Sequence, residues 1–159
     1  MVFFSITRPV CYMLIGIPAS GKTTWTRDYH PSIGYASTDK YIEQVAAEKG
    51  LSYNDVFKDT ITEATSRMLD EVEEYVRNGT HFVWDQTNMS KKSRAKKLKM
   101  LTGYSVVAVV FNVPEEKELA KRLASRPGKT IPQYVLDSMI KSYEAPSLDE
   151  GFTKIMIAD

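Results

Sequence analysis

The run Gly16-Ile17-Pro18-Ala19-Ser20-Gly21-Lys22-Thr23 has the spacing G-x-x-x-x-G-K-T, and its flanks constrain the fold more than any other stretch of the chain. Before it, Val10-Cys11-Tyr12-Met13-Leu14-Ile15 reads as a buried parallel strand, and after it Thr24-Trp25-Thr26-Arg27 begins a helix. A strand, a glycine turn and a helix in that order build a phosphate cradle. Gly16 and Gly21 let the loop turn its N–H groups inward, and the helix N-terminus adds the positive end of its dipole. Lys22 then reaches the β- and γ-phosphates of a nucleotide, and the Thr23 hydroxyl is a ligand for Mg²⁺. Pro18, Ala19, Ser20 and Thr24 complete the predicted nucleotide-binding set. The competing reading, a glycine-rich turn that binds nothing, is disfavoured by the completeness of the pattern in this context.

At 159 residues the chain fits one domain, taken as residues 1–159. Charged residues make up 26% and the net charge is +1, which argues against broad attraction to nucleic acid or membrane and leaves a local patch open. Cys11 is the one cysteine, so no internal disulfide forms, and a reducing cytoplasm is the expected compartment. Met1-Val2-Phe3-Phe4-Ser5-Ile6 is too short, and too soon interrupted by Arg8 and Pro9, for a signal peptide. No apolar run reaches transmembrane length, so no membrane partner is expected. His30 and His81 show no ligand spacing, which argues against a structural zinc site.

Further strands are expected at Gly34–Ser37, His81–Asp85, Tyr104–Phe111 and Thr153–Ile157. Between them, helices are expected near Asp39–Lys49, from a Ser52/Asp55 capping box to Asn78-Gly79, over Ser90–Leu101, from Pro114 to about Arg126, and from Pro132. The long helix carries Phe57, Ile61, Ala64, Met68, Val72 and Tyr75 as its inward stripe. In the last helix Val135, Leu136, Met139, Ile140 and Tyr143 are expected to face inward. The alternation predicts an α/β fold of the P-loop NTPase/kinase type. Its parallel sheet has about five strands, with helices on both faces and a short helical lid at about 122–132. Ligands gather at the C-terminal strand ends of such sheets, where the phosphate loop, Ser37-Thr38-Asp39, Asp85 and Asn112 all fall.

Four groups are candidates for chemistry. Asp39 is either the base that takes a proton from an attacking hydroxyl or an acid placed in a first helical turn by the macrodipole. Asp85 ends an apolar strand, where an acid holds Mg²⁺, and Thr87 and Asn88 suit a substrate; alternatively Asp85 and Asn88 cap the loop and the next helix. Arg122 and Arg126 stand four apart before the Pro127-Gly128 break and read as a lid over nucleotide phosphates, or as solvated arginines with Glu118 pairing Arg122. Lys91, Lys92, Arg94, Lys96, Lys97 and Lys99 place six positive charges within nine residues, either to track a polyanion or to solvate a helix. Trp25 and Trp84 read as packing residues.

Together these segments resemble the kinase domain of phage-type polynucleotide 5′-hydroxyl kinases, from about Tyr12 to Tyr143. The resemblance is carried by the phosphate loop through Trp25, Ser37-Thr38-Asp39-Lys40-Tyr41, Asp85-Gln86-Thr87-Asn88 and Phe111-Asn112-Val113-Pro114. Lys121-Arg122-Leu123-Ala124-Ser125-Arg126 and Ile131-Pro132 with Val135-Leu136 extend it. It implies ATP as donor, Mg²⁺ held at Thr23 and Asp85, nucleic acid with 5′-hydroxyl ends as acceptor, and catalysis by Asp39 as base with Lys22 and Arg126 on the phosphates. Two departures stand out: Ile42 replaces an arginine that in phage members touches substrate phosphate, and no D-x-D-x-T phosphatase motif is present. A 5′-kinase without 3′-phosphatase activity is therefore expected. The alternatives are a small-metabolite kinase on the same scaffold and a non-catalytic ATP-binding module associated with nucleic acid. Homo-oligomers are common among such kinases, and no stretch marks an interface.

Overall fold

Strand β1 (Val10–Ile15) occupies the middle of the sheet, as its unbroken apolar run requires. It pairs in parallel with β3 (Phe82–Trp84) on one side and β4 (Ser105–Phe111) on the other. Beyond them lie β2 (Gly34–Ala36) and β5 (Lys154–Ala158), giving the order β2-β3-β1-β4-β5, parallel throughout. This computed structural model describes residues 7–158, so the reading of Met1 to Ile6 lies outside the described residues. Among those described, no helix is long and apolar enough to cross a membrane.

Six helices follow the predicted order: α1 (Lys22–Tyr29), α2 (Thr38–Lys49), α3 (Tyr53–Asn78), α4 (Lys91–Leu98), α5 (Glu116–Ala124) and α6 (Gln133–Ser142). A 3₁₀ turn at Leu148–Glu150, which the sequence reading did not anticipate, precedes β5. One sheet face packs Cys11, Met13, Phe82, Trp84 and Val106 with Met68 and Val72 of α3 and Leu119 of α5. The other face packs Leu14, Val83, Val109 and Phe111 against Trp25 of α1. Both tryptophans are packing residues, and burial pushes the Cys11 thiol up, as suits a small apolar group in the core.

Three expectations change. The Ser52/Asp55 capping box of α3 is present, but its first half buries Val56 and Thr60 rather than Phe57 and Ile61. That half packs on Ile42 and Ala46 of α2 and the second half on the sheet, so two partners at different azimuths rotate the stripe. Phe57 is left 40% exposed. On α6 only Leu136 is buried, with Val135 and Met139 half-buried; Ile140 and Tyr143 lie exposed because the helix meets the core along one edge.

The third change concerns the basic cluster. Arg94 is 0% exposed, and its Nε and Nη2 donate to the Glu150 carboxylate at 2.9 and 3.2 Å. The same guanidinium donates to the carbonyls of Asn88 (2.9 Å), Met89 (3.0 Å) and Glu144 (2.9 Å). Lys97 donates to the Asn88 side-chain oxygen and lies 5.4 Å over the Trp84 ring; burial lowers its amine to about 8. The exposed cluster therefore reduces to Lys91, Lys92, Lys96 and Lys99.

Candidate active site

The phosphate loop closes between β1 and α1. Gly21 takes φ +105°, a left-handed conformation that costs glycine little, and Ala19 takes φ +65°. Gly16 is required by space instead, because a Cβ there would lie 2.6 Å from Ser20 Oγ and 2.9 Å from Phe111 Cβ. A loop whose residues alternate in handedness around Ala19 and Gly21 can gather its N–H groups into a concave nest, which with the α1 N-terminus suits an anion. Lys22 Nζ donates to the Gly16 carbonyl at 2.8 Å and lies 3.9 Å from Asp85 Oδ1. Burial lowers the lysine, opposed by Asp85 and Asp39, and burial raises Asp85, opposed by Lys22 and by the Tyr35 hydroxyl that donates to it.

Tyr35 was not among the candidates from sequence. Its hydroxyl donates to Asp85 and has the Thr23 and Ser37 hydroxyls beside it, so the phenol ties β2 to one of the two expected metal residues. A tyrosine in a short strand of weak periodicity carries no such signal on its own. Thr23 and Asp85 offer one hydroxyl and one carboxylate, and among the described residues no group of three His, Cys, Asp or Glu side chains could hold a metal. This sparse donor set fits Mg²⁺, which keeps several waters and shares nucleotide phosphates.

Asp39 sits in the first turn of α2, yet it does not cap that helix. Ser37 is the cap, accepting from the Asp39 N–H at 3.1 Å, so the Asp39 carboxylate faces the crevice. Its Oδ1 accepts from Tyr53 at 2.6 Å and its Oδ2 from Lys129 at 3.0 Å. Burial pushes this carboxyl up, but Tyr53, Lys129 and Lys22 together outweigh burial and hold it below the usual carboxylate range. Of the capping alternative for Asp85 and Asn88, the helix half is corrected, since Ser90 caps α4 by accepting from Ser93 N, while Asn88 does tie the loop, its Nδ2 donating to the Leu14 carbonyl.

Asn88 does not reach the expected substrate position. It is buried, its Nδ2 donates to the Leu14 carbonyl at 2.7 Å and its oxygen takes Lys97, so it pins the loop after β3 to β1. Thr87 lines the crevice, and its carbonyl accepts from Gly16 N at 3.0 Å. On the lid side, α5 ends at Ala124, two residues short of Arg126. Arg122 donates to Glu118 at 3.0 Å, the pairing its solvated alternative gave, and also to the Ala19 carbonyl of the phosphate loop at 3.1 Å. Arg126 also lines the crevice, and its Nη1 is buried without a protein partner.

Lys22, Thr23, Asp39, Asp85, Thr87 and both arginines border one crevice of about 1490 Å³, which Asn88 does not reach. Single-ligand pockets run to about 1,000 Å³, so there is room for a donor and an acceptor side by side. Phe57, Ile61, Ile131, Pro132, Val135 and Met139 make an apolar wall on the α3 and α6 side. No α4 residue lines it, which separates the exposed lysines from the crevice.

Comparison with known proteins adds a family and a fold. The family model described as an AAA domain, AAA_33, matches residues 12–146. Human heterogeneous nuclear ribonucleoprotein U-like protein 2 is 26% identical over 146 residues, covering 84% of this chain and 19% of that protein. The chain thus spans about a fifth of the length of the curated relatives it matches. Among solved structures, a chain of the Pnkp1/Rnl/Hen1 RNA repair complex superposes with a TM-score of 0.66 at 22% identity, covering 87% of this chain and 45% of that one. A gluconokinase from Sinorhizobium meliloti superposes with a TM-score of 0.56 at 18% identity, covering 96% and 84%. The fold is the P-loop kinase fold.

Proposed function

The chain belongs to the AAA_33 family, and on that premise we propose that it transfers the γ-phosphoryl group of ATP to 5′-hydroxyl ends of DNA or RNA. The whole of residues 1–159 is taken as one kinase domain with its lid at about 122–132, working in the cytoplasm. In the transfer, the 5′ oxygen forms a bond to the γ-phosphorus as the bond to the bridging oxygen of ADP breaks, and Asp39 takes the hydroxyl proton. Lys22 and Arg126 meet the charge on the transferring group, and Arg122 keeps the lid on the phosphate loop. Thr23 and Asp85 would hold Mg²⁺, which would supply neutralisation of phosphate charge.

The observation that carries this reading is the crevice itself. It sets the phosphate loop and Asp39 on one floor, beside a wall where Phe57 is 40% exposed and Tyr53 stands next to Asp39. A flat base on the terminal nucleoside suits that wall better than a polyol does. Similarity to the Pnkp1 complex chain agrees with it. A second reading, a small-metabolite kinase, is favoured by Ile42, which is 0% exposed in the α2–α3 packing and presents no cation to a polymer phosphate. Labelled ATP offered with 5′-hydroxyl oligonucleotides and with a panel of hydroxylated metabolites separates the two. Label on the metabolites alone would overturn the first reading, and ATP binding without transfer would favour an ATP-binding module.

A further inference from the structure

Lys129 has no part in the transfer described above, yet its ammonium is engaged on three sides. It lies 3.0 Å from Asp39 Oδ2, 2.9 Å from Glu43 Oε1 and 4.4 Å over the Tyr53 ring, with 15% of its side chain exposed. It reaches them from the lid. Lys129 N donates to the Arg126 carbonyl at 3.1 Å, closing a four-residue turn in which Gly128 takes φ +73°. One head of this turn is Arg126, whose Nη1 has no protein partner, and the other is Lys129 on Asp39.

Asn54, in the first turn of α3, fastens the turn. Its N–H donates to the Gly128 carbonyl at 2.9 Å, its Nδ2 donates to Thr130 Oγ1 at 2.6 Å, and its Oδ1 accepts from Thr130 N at 3.1 Å. Gly128 approaches α3 so closely that a Cβ there would lie 2.5 Å from Ser52 Cβ. The lid segment is thus keyed to one docked position by hydrogen bonds and by shape.

Resting on Asp39 as the acceptor of the hydroxyl proton, we propose that Lys129 is a positioning residue that couples lid closure to the base. With Asn54 holding the turn, the ammonium fixes the Asp39 carboxylate and keeps it ionised beside the nucleotide phosphates. The need for such a cation follows from the groups around Asp39. Asp85 after β3 and Glu43 in α2 repel its charge, Tyr53 of α3 only donates a hydrogen bond, and Lys22 of the phosphate loop is committed to the donor. Phosphates add further negative charge, which together with burial favours the protonated carboxyl, and a protonated Asp39 cannot take the hydroxyl proton. Tyr53 on Oδ1 and Lys129 on Oδ2 clamp both oxygens, and each oxygen keeps a second lone pair for the acceptor hydroxyl. An open lid withdraws Lys129, so the base is fully set only when Arg126 is also in place.

The test compares Lys129→Ala, Lys129→Arg and Asn54→Ala in the full chain. Kinetics use Mg-ATP with a 5′-hydroxyl oligonucleotide, and ¹³C NMR follows the Asp39 carboxyl, assigned with Asp39→Asn. In Lys129→Ala the acid limb of kcat moves to higher pH. The loss at mildly acid pH then exceeds that at mildly alkaline pH by about tenfold, while KM for ATP holds. Lys129→Arg recovers most of the rate. Asn54→Ala moves the same limb less far, and adding it to Lys129→Ala costs little more, because both act through one contact. The Asp39 carboxyl titrates at higher pH in Lys129→Ala whether or not acceptor is present. A loss independent of pH, or an unmoved Asp39 titration, overturns the coupling. If the unmodified protein transfers nothing to oligonucleotides, the polynucleotide reading fails by itself, and the carboxyl titration still decides whether Lys129 holds Asp39 ionised.

Discussion

In the proposed transfer Lys22 and Asp39 stand on opposite sides of the same chemistry, and their substitutions separate. Lys22→Ala removes a charge that meets the phosphates throughout, so transfer falls by about 10²–10³-fold in a folded protein. Near-normal turnover in that variant would remove the phosphate loop from the reaction. Asp39→Asn keeps the shape and the bond from Tyr53 but loses the base. ATP affinity should survive, measured by equilibrium titration, while single-turnover transfer drops by about 10²–10⁴-fold. Loss of ATP binding together with the rate would assign Asp39 to the structure of the nucleotide site. Both residues were legible from sequence because a spaced motif or a strand-end position names them. Tyr35 and Lys129 were not, since each acts through a partner about 50 or 90 residues away that only the folded chain brings near.

At the scale of elements, α4 shows what charge patterning alone leaves undecided. Its basic run reads as one patch, but helical periodicity turns Arg94 and Lys97 inward, where Glu150 and Asn88 satisfy them. For Arg94 neither reading of the cluster holds, because its partner lies in the turn at Leu148–Glu150, and that turn left no periodic signal. Strands and caps were legible for the opposite reason, since apolar runs and Ser52 with Asp55 act over a few residues. Because α4 stands outside the crevice, removing Lys92 and Lys96 together should leave the salt dependence of oligonucleotide binding unchanged. Two phosphates neutralised by that helix would instead flatten the log–log slope by about 1.4. A flattening of that size, in a fluorescence anisotropy series over salt, would run the strand across α4. The shifted stripe of α3 is a similar lesson: a stripe read at spacings of three and four assumed one partner, and α3 has two.

For the whole molecule, the sheet order puts the phosphate loop, Asp39 and Asp85 at the same end, and what holds that end together is partly a buried ion pair. Arg94 joins the chain after β3, through the Asn88 and Met89 carbonyls, to the segment before β5, through the Glu144 carbonyl and Glu150. Asn88 in turn bonds the β1 carbonyl of Leu14, so the contact runs from the last strand to the strand that bears the phosphate loop. Removing Arg94 leaves the Glu150 carboxylate without its cation and the Asn88 and Glu144 carbonyls without a donor, while Met89 O keeps Glu144 N and Glu150 Oε2 keeps Ser147 N; breaking such a pair costs about 3–5 kcal/mol. Against a total of about 5–15 kcal/mol for a domain, that is a large share. Arg94→Leu should therefore lower the urea midpoint steeply with little change in slope, and the paired Arg94→Leu, Glu150→Leu variant should regain part of the loss, because no charge is stranded although the Asn88 and Glu144 carbonyls still lack their donor. A single-variant loss under about 1 kcal/mol would class the pair with exposed salt bridges and free the C-terminal segment from any part in holding the site.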